Sequence, residues 1–162
     1  MKKLSPIGLE IDKSKEIAFH LNRLLAHYQV YYMNTRGFHW NIKGNKFFEL
    51  HAKFEELYTI ALTNIDEVAE RILTLGEVPM HSYSQYLEVS EIPERNNISD
   101  GDEAVSLIVQ GTKTLLKIER KLLELASETG DEGTSALMSD YIREQEKTVW
   151  MYSSFLGKSD RN

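Results

Sequence analysis

The chain has 162 residues with 41% hydrophobic and 27% charged side chains, the balance of a soluble domain with a real core. It contains no cysteine, which excludes disulfides, thiolate metal sites and thiol catalysis, so any transition metal must be held by His, Asp and Glu. The net charge of −6 argues against a surface that grips phosphate backbones everywhere.

The start, MKKLSPIGLEIDKSKEIAF, has no apolar run after its lysines and does not read as a secretory signal. No segment is apolar enough to suggest a membrane span. The expectation is a single cytoplasmic domain over 1–162, with short tails. From about residue 11, Ile17, Leu21, Leu24, Leu25, Tyr28 and Tyr32 recur at helical spacing. The turn NIKGN separates this first helix from a second that begins near Phe47. The second stripe runs through Phe54, Leu57, Tyr58, Ala61, Ile65, Val68, Ile72 and Leu75, then stops at Gly76 with Pro79 beyond.

About two dozen residues follow, with two of the three prolines and a segment, SQYLEV (84–89), suited to a short helix. Ser99 and Asp100, then Asp102 and Glu103, offer capping chemistry for a third long helix ending near Gly130. After TGDEG a fourth carries Leu137, Met138, Tyr141, Ile142, Val149, Tyr152 and Phe155. No strand pattern is evident. Short turns make the first and second long helices antiparallel, and likewise the third and fourth. The long connection lets the second and third point the same way. The predicted fold is all-α: a ferritin-like four-helix bundle, with one long crossover carrying a short extra helix.

The second helix raises a chemical question, because His51 and Glu55 are four residues apart, and so are Asp66 and Glu70. At 100° per residue, with His51 at 0°, Glu55 falls at about 40°, Asp66 at about 60° and Glu70 at about 100°. The pairs share one face but lie roughly 22 Å apart along the axis, too far for one metal centre. An antiparallel copy about a two-fold near residues 60 and 61 faces residue i with residue 121−i. His51 then opposes the partner's Glu70 and Glu55 opposes the partner's Asp66, so a symmetric dimer gains two equivalent composite sites.

Each of these residues also has an ordinary reading. Acids four apart on a helix are commonly solvated or paired, here beside Arg71, and a single histidine near an apolar stripe is commonly a hydrogen-bonded core residue. His39, near the end of the first helix, would be brought close to His51 by antiparallel packing. Two imidazoles with several carboxylates suit iron, manganese or zinc, and a carboxylate-rich, water-open site suits iron redox chemistry better than structural zinc. The Glu-x-x-His motif of an intrabundle di-iron centre is absent from the sequence, which turns attention to a subunit interface.

The stretches NTRGFHWNIKGNKFFELHAKFEELY and IDEVAERIL, reinforced by EKTVWMYSSFLGK, resemble the Dps family of miniature ferritins over nearly the whole chain. The resemblance implies a hollow homododecamer with ferroxidase centres at its two-fold interfaces. His39, His51 and Glu55 would come from one chain, and Asp66 and Glu70 from its neighbour, holding one or two iron ions per site. Many members carry Asp where this chain has Glu55, which bears on the second iron position. Trp40 matches a tryptophan near the family's centre, with capping of the core as its alternative role.

The implied reaction is oxidation of Fe(II), preferably by hydrogen peroxide, followed by storage of ferric mineral. Acid-lined three-fold pores are implied near the start of the fourth long helix, where Glu128, Asp131 and Glu132 fall, although another commonly acidic position is Ala136. Helix-end solvation and dipole complementarity are the alternative roles for those acids.

DNA-binding members often use a lysine-rich tail, whereas this chain offers only Lys2 and Lys3 at one end, and Lys158 and Arg161 beside Asp160 at the other. Twelve chains at −6 carry −72, a poor partner for a polyanion. A structural nucleoid protein with secondary iron oxidation stands as the alternative function. A third reading gives the His and acidic residues a role in dimer packing alone.

Overall fold

The computed structural model describes residues 2–157, and Lys158, Asp160 and Arg161 lie outside the described residues. Five helices follow in order: α1 (Ile11–Asn41), α2 (Phe47–Thr74), α3 (Tyr83–Val89), α4 (Gly101–Thr129) and α5 (Glu132–Phe155). No β-strand forms among the described residues; Leu4 and Glu10 make a single isolated bridge. The short helix starts one residue before the predicted segment. No helix among the described residues is long and apolar enough to cross a membrane.

The boundaries follow from capping chemistry. The Asp100 carboxylate accepts from the Glu103 N–H at 2.9 Å, tying off a free donor in the first turn of α4. That helix ends on Gly130, whose φ of +72° lets the Ala126 and Ser127 carbonyls take the closing bonds. Asp131 then caps α5, accepting from Thr134 N–H at 3.0 Å. With Gly130 and Asp131 adjacent, the chain reverses within two residues, so α4 and α5 are antiparallel.

The crossover is laid along α1 by a series of hydrogen bonds. Asn22 donates to Val78 O and accepts from Met80 N–H; His27 accepts from Glu91 N–H; Asn34 donates to Pro93 O and accepts from Arg95 N–H. Beyond the end of α1, Lys43 N–H donates to Ser99 O. The connection therefore runs beside α1 from its first third to its end and starts α4 beside the start of α2, where Gly101 faces Leu50. At the other end, Arg71 of α2 meets Asp131 and Thr134. α2 and α4 consequently point the same way, as the length of the connection allowed.

Two apolar clusters fill the bundle. One packs Leu21, Leu25 and Tyr28 with Val68, Ile72, Leu122 and Met138; the other packs Phe38, Leu50, Phe54, Ile108 and Tyr152. α1 is buried on more than one stripe: Leu24 through Tyr28 are all inaccessible, because α2, α4 and the crossover all press on it. The predicted stripe accordingly omitted Tyr31, which is buried, while Tyr32 is only half-buried. α2 is the converse. Its core stripe is covered, but Phe48, Ile60, Leu62 and Leu73 are each more than half exposed.

Candidate metal centre at the bare face of α2

The turn between α1 and α2 brings His39 and His51 into register. Their rings stack with centroids 3.8 Å apart and planes 13° from parallel. The contact is reciprocal: His39 Nδ1 lies 2.6 Å from the His51 carbonyl oxygen, and His51 Nδ1 lies 2.8 Å from the His39 carbonyl oxygen. A backbone carbonyl can only accept, so each Nδ1 carries the hydrogen. In the neutral ring the lone pair then belongs to Nε2, and neither Nε2 has a hydrogen-bond partner among the described residues. A carbonyl held on one ring nitrogen in this way orients the other nitrogen as it is oriented in a metal-binding histidine.

Aromatic side chains wall the pair. Phe47 stacks on His51 at 5.0 Å, and Tyr58 meets His39 edge-on at 5.2 Å. The Arg36 guanidinium sits over Trp40, Tyr58 and Tyr32, at 5.0, 5.4 and 5.8 Å from the ring centroids, and donates to the Tyr32 hydroxyl at 2.6 Å. Tyr58 is expected from the sequence only as a member of the apolar stripe of α2, and Arg36 carries no sequence expectation. Their spacing, three before His39 and three after Glu55, was the available signal. Trp40 does not cap the core of its own chain: it is 59% exposed.

Glu55, Asp66 and Glu70 are exposed on α2, and none forms an ion pair among the described residues. Arg71, the cation expected to neutralise Asp66 and Glu70, turns the other way and binds Asp131 at 2.6 Å. The sites are therefore not assembled within one chain: no group of three or more His, Asp or Glu suited to a metal ion forms among the described residues. Between the two pairs Thr59 and Leu62 are exposed, leaving a strip without bulky charge.

Asp131 requires a correction. Placed by the sequence among pore-lining acids, it is 1% exposed and engaged on both oxygens. Oδ1 accepts from Arg71 and from Thr134 N–H, and Oδ2 accepts from the Thr134 hydroxyl at 2.6 Å. Buried and already accepting three hydrogen bonds, this carboxylate is closed off from a passing cation in this chain. Glu128 and Glu132 are exposed.

A ferritin-like domain model matches residues 19–162. The DNA protection during starvation protein of Porphyromonas gingivalis is 41% identical over 159 residues, covering 98% of this chain and 100% of its own. The chain belongs to the Dps family of ferritin-like proteins. A Dps crystal structure from Vibrio cholerae O1, described as a member of a broad superfamily of ferritin-like diiron-carboxylate proteins, superposes with a TM-score of 0.93. It is 59% identical, with 94% of this chain and 96% of that one covered. A protein of Haemophilus influenzae with no assigned role is 56% identical over 148 residues, 91% of this chain and 92% of its own. The similarity to Dps proteins thus extends over both halves of the bare α2 face and the histidine turn.

Proposed function

We propose that the protein is a ferroxidase and iron store, which oxidises Fe(II), preferentially with hydrogen peroxide, and keeps the ferric product inside a hollow dodecamer. The observation that carries this reading is the reciprocal histidine clamp at one end of α2, with the unpaired carboxylates of Glu55 near it and of Asp66 and Glu70 farther along the same helix face. Imidazole nitrogens of fixed tautomer supply borderline donors for Fe(II), and carboxylates favour the harder Fe(III) product. His39, His51 and Glu55 of one chain would work with Asp66 and Glu70 contributed by a symmetry-related copy.

Within this assignment the clamp has a defined task. Each Nδ1–H is consumed by a carbonyl, so the ring cannot turn its other nitrogen away without losing a hydrogen bond worth about 1 kcal/mol. Glu55, Asp66 and Glu70 have no cation to displace on ligation. The balanced reaction is two Fe(II), one hydrogen peroxide and two protons giving two Fe(III) and two waters, a two-electron reduction that releases no hydroxyl radical. We assign cytoplasmic residence on the same reading, because peroxide and Fe(II) meet there.

Strong DNA binding has little support on this chain. Lys2 is paired with Glu10, and Ile11 N–H donates to the Lys3 carbonyl, so this end is folded back on the bundle.

The test combines native mass, anaerobic Fe(II) titration and stopped-flow oxidation. About twelve chains, one or two Fe(II) per chain and faster oxidation with peroxide than with oxygen support the proposal. A dodecamer that leaves Fe(II) unbound would falsify it, whatever a parallel gel-shift assay shows.

A further inference from the structure

Glu119 of α4 stands apart from the iron chemistry. It lies on the buried side of α4 with Leu115, Ile118 and Leu122, and it is completely inaccessible. Its Oε1 is well served, accepting from the Tyr28 hydroxyl at 2.7 Å and from Gln145 Nε2 at 2.8 Å. Its Oε2, equally buried, meets no donor among the described residues. The Oε1 of Gln145 is also buried and without a partner.

Two orphan acceptors thus sit on two side chains that already touch. A buried acceptor left unsatisfied costs about 1–3 kcal/mol, so two on neighbouring groups call for a missing hydrogen. One proton on Glu119 Oε2 supplies it. As a carboxylic acid, Glu119 could donate from Oε2 to the Gln145 oxygen while Gln145 Nε2 keeps its bond to Oε1, so that one proton would serve both orphans. We propose that Glu119 is a proton-binding site at the centre of the bundle, held as a neutral acid against Gln145, and that the fold loosens there when the proton leaves.

The surroundings favour a proton over an ionised carboxylate. α1 presents Tyr28 and Tyr31; burial pushes the Tyr28 phenol well up and Tyr31 up to about 12, so both stay protonated and neutral. α2 presents Asn64, with Glu67 reached only through the Tyr141 hydroxyl. α5 presents Tyr141, Glu144 and Gln145. On α4 itself the adjacent Arg120 is exposed and already paired with Glu146 at 2.9 Å. Among the described residues no cation is buried with the carboxylate, and burial raises Glu119 from 4.5 to about 7 against the pull of its hydrogen bonds.

Because the folded chain holds the proton more tightly than the unfolded one, the contribution is full below pH 4.5, declines as pH rises, and is gone above about 7. Glu119→Gln reproduces the neutral acid in shape and can keep a paired amide with Gln145. Infrared spectra of the assembled protein should show a protonated carboxylic acid near neutral pH, lost in base and missing from E119Q. In melts, E119Q should match the wild type near pH 4.5 and exceed it by roughly 5 °C or more above pH 8.

A wild-type spectrum in which every carboxyl titrates in the ordinary acid range overturns the proposal, and needs no variant to fold. So does parallel pH dependence in the two proteins. Stabilisation of the wild type, but not of E119Q, by Mg²⁺ or Mn²⁺ in base also overturns it, because a cation rather than a proton would then fill the gap. None of these outcomes depends on whether iron is oxidised.

Discussion

A site shared between chains makes a quantitative prediction for mixed assemblies. Take one variant with His39→Ala and His51→Ala, and a second with Asp66→Ala and Glu70→Ala. The first loses one clamp hydrogen bond per truncation, about 1 kcal/mol each, which the bundle withstands. The second removes exposed carboxylates that form no ion pair among the described residues. Each homo-oligomer has every site broken and should oxidise Fe(II) at a small fraction of the wild-type rate. When the variants pair across the two-fold, one of the two sites receives both defects and the other receives none. Random co-assembly from equal amounts makes half of the pairs mixed, so about a quarter of all sites are intact. Stopped-flow oxidation of anaerobic Fe(II) by peroxide should recover to about a quarter of the wild-type rate after mixing by dissociation and reassembly. Mixing intact oligomers without exchange should restore nothing. A centre enclosed within one protomer predicts no recovery under either protocol, because roughly 22 Å of helix separates the two halves of each chain. Absence of recovery despite proven subunit exchange would sink the composite site.

Three further changes probe the frame that holds this face. Asp131→Ala uncaps α5 and strands Arg71, and should cost about 3–5 kcal/mol in denaturant unfolding, whereas Asp131→Asn retains a cap and should cost less. Gly133→Ala places a Cβ 2.5 Å from Arg71 Nη1 and should destabilise through the same ion pair, so combining it with Asp131→Ala should be less than additive. His27 donates Nδ1–H to Arg23 O and accepts at Nε2 from Glu91 N–H, and burial lowers its proton affinity below the ordinary 6.5. The unfolded chain therefore takes up the proton first, and stability falls as pH drops below 6.5. His27→Gln should flatten that acid slope in thermal melts; an unchanged slope places the acid-sensitive group elsewhere.

Much of the frame could be read from the sequence because its signals are local. Asp100 and Gly130 announce the ends of α4 through one side-chain oxygen and one left-handed residue. The shared arc of His51, Glu55, Asp66 and Glu70 was equally accessible, since helix pitch alone sets it. What escaped were polar residues whose partners lie far away in the chain. Asp131 looks like any acid at a helix start until Arg71, sixty residues earlier, is seen to close on it. Asn22, His27 and Asn34 read as breaks in a stripe, yet they are the pegs to which the crossover is tied. Glu119 sits in a helix rich in lysine and glutamate, where nothing in its neighbours distinguishes it from a solvated acid.

The same distinction separates the candidate centre from parts of the fold. A two-fold axis acting on one straight helix converts sequence positions into facing positions by a single subtraction, with no knowledge of loops or packing. The clamp between His39 and His51 lies outside that simple relation, because it depends on how five residues of turn bring two helix ends together. It adds what helical geometry could not: an assigned hydrogen on each Nδ1 and an uncommitted Nε2 on each ring. Arg71 completes the chemical case by leaving the bare face. Had it stayed beside Asp66 and Glu70, the acids would be an ordinary neutralised pair. With its charge committed to Asp131, the α2 surface keeps negative charge that only an incoming cation or a partner chain can balance.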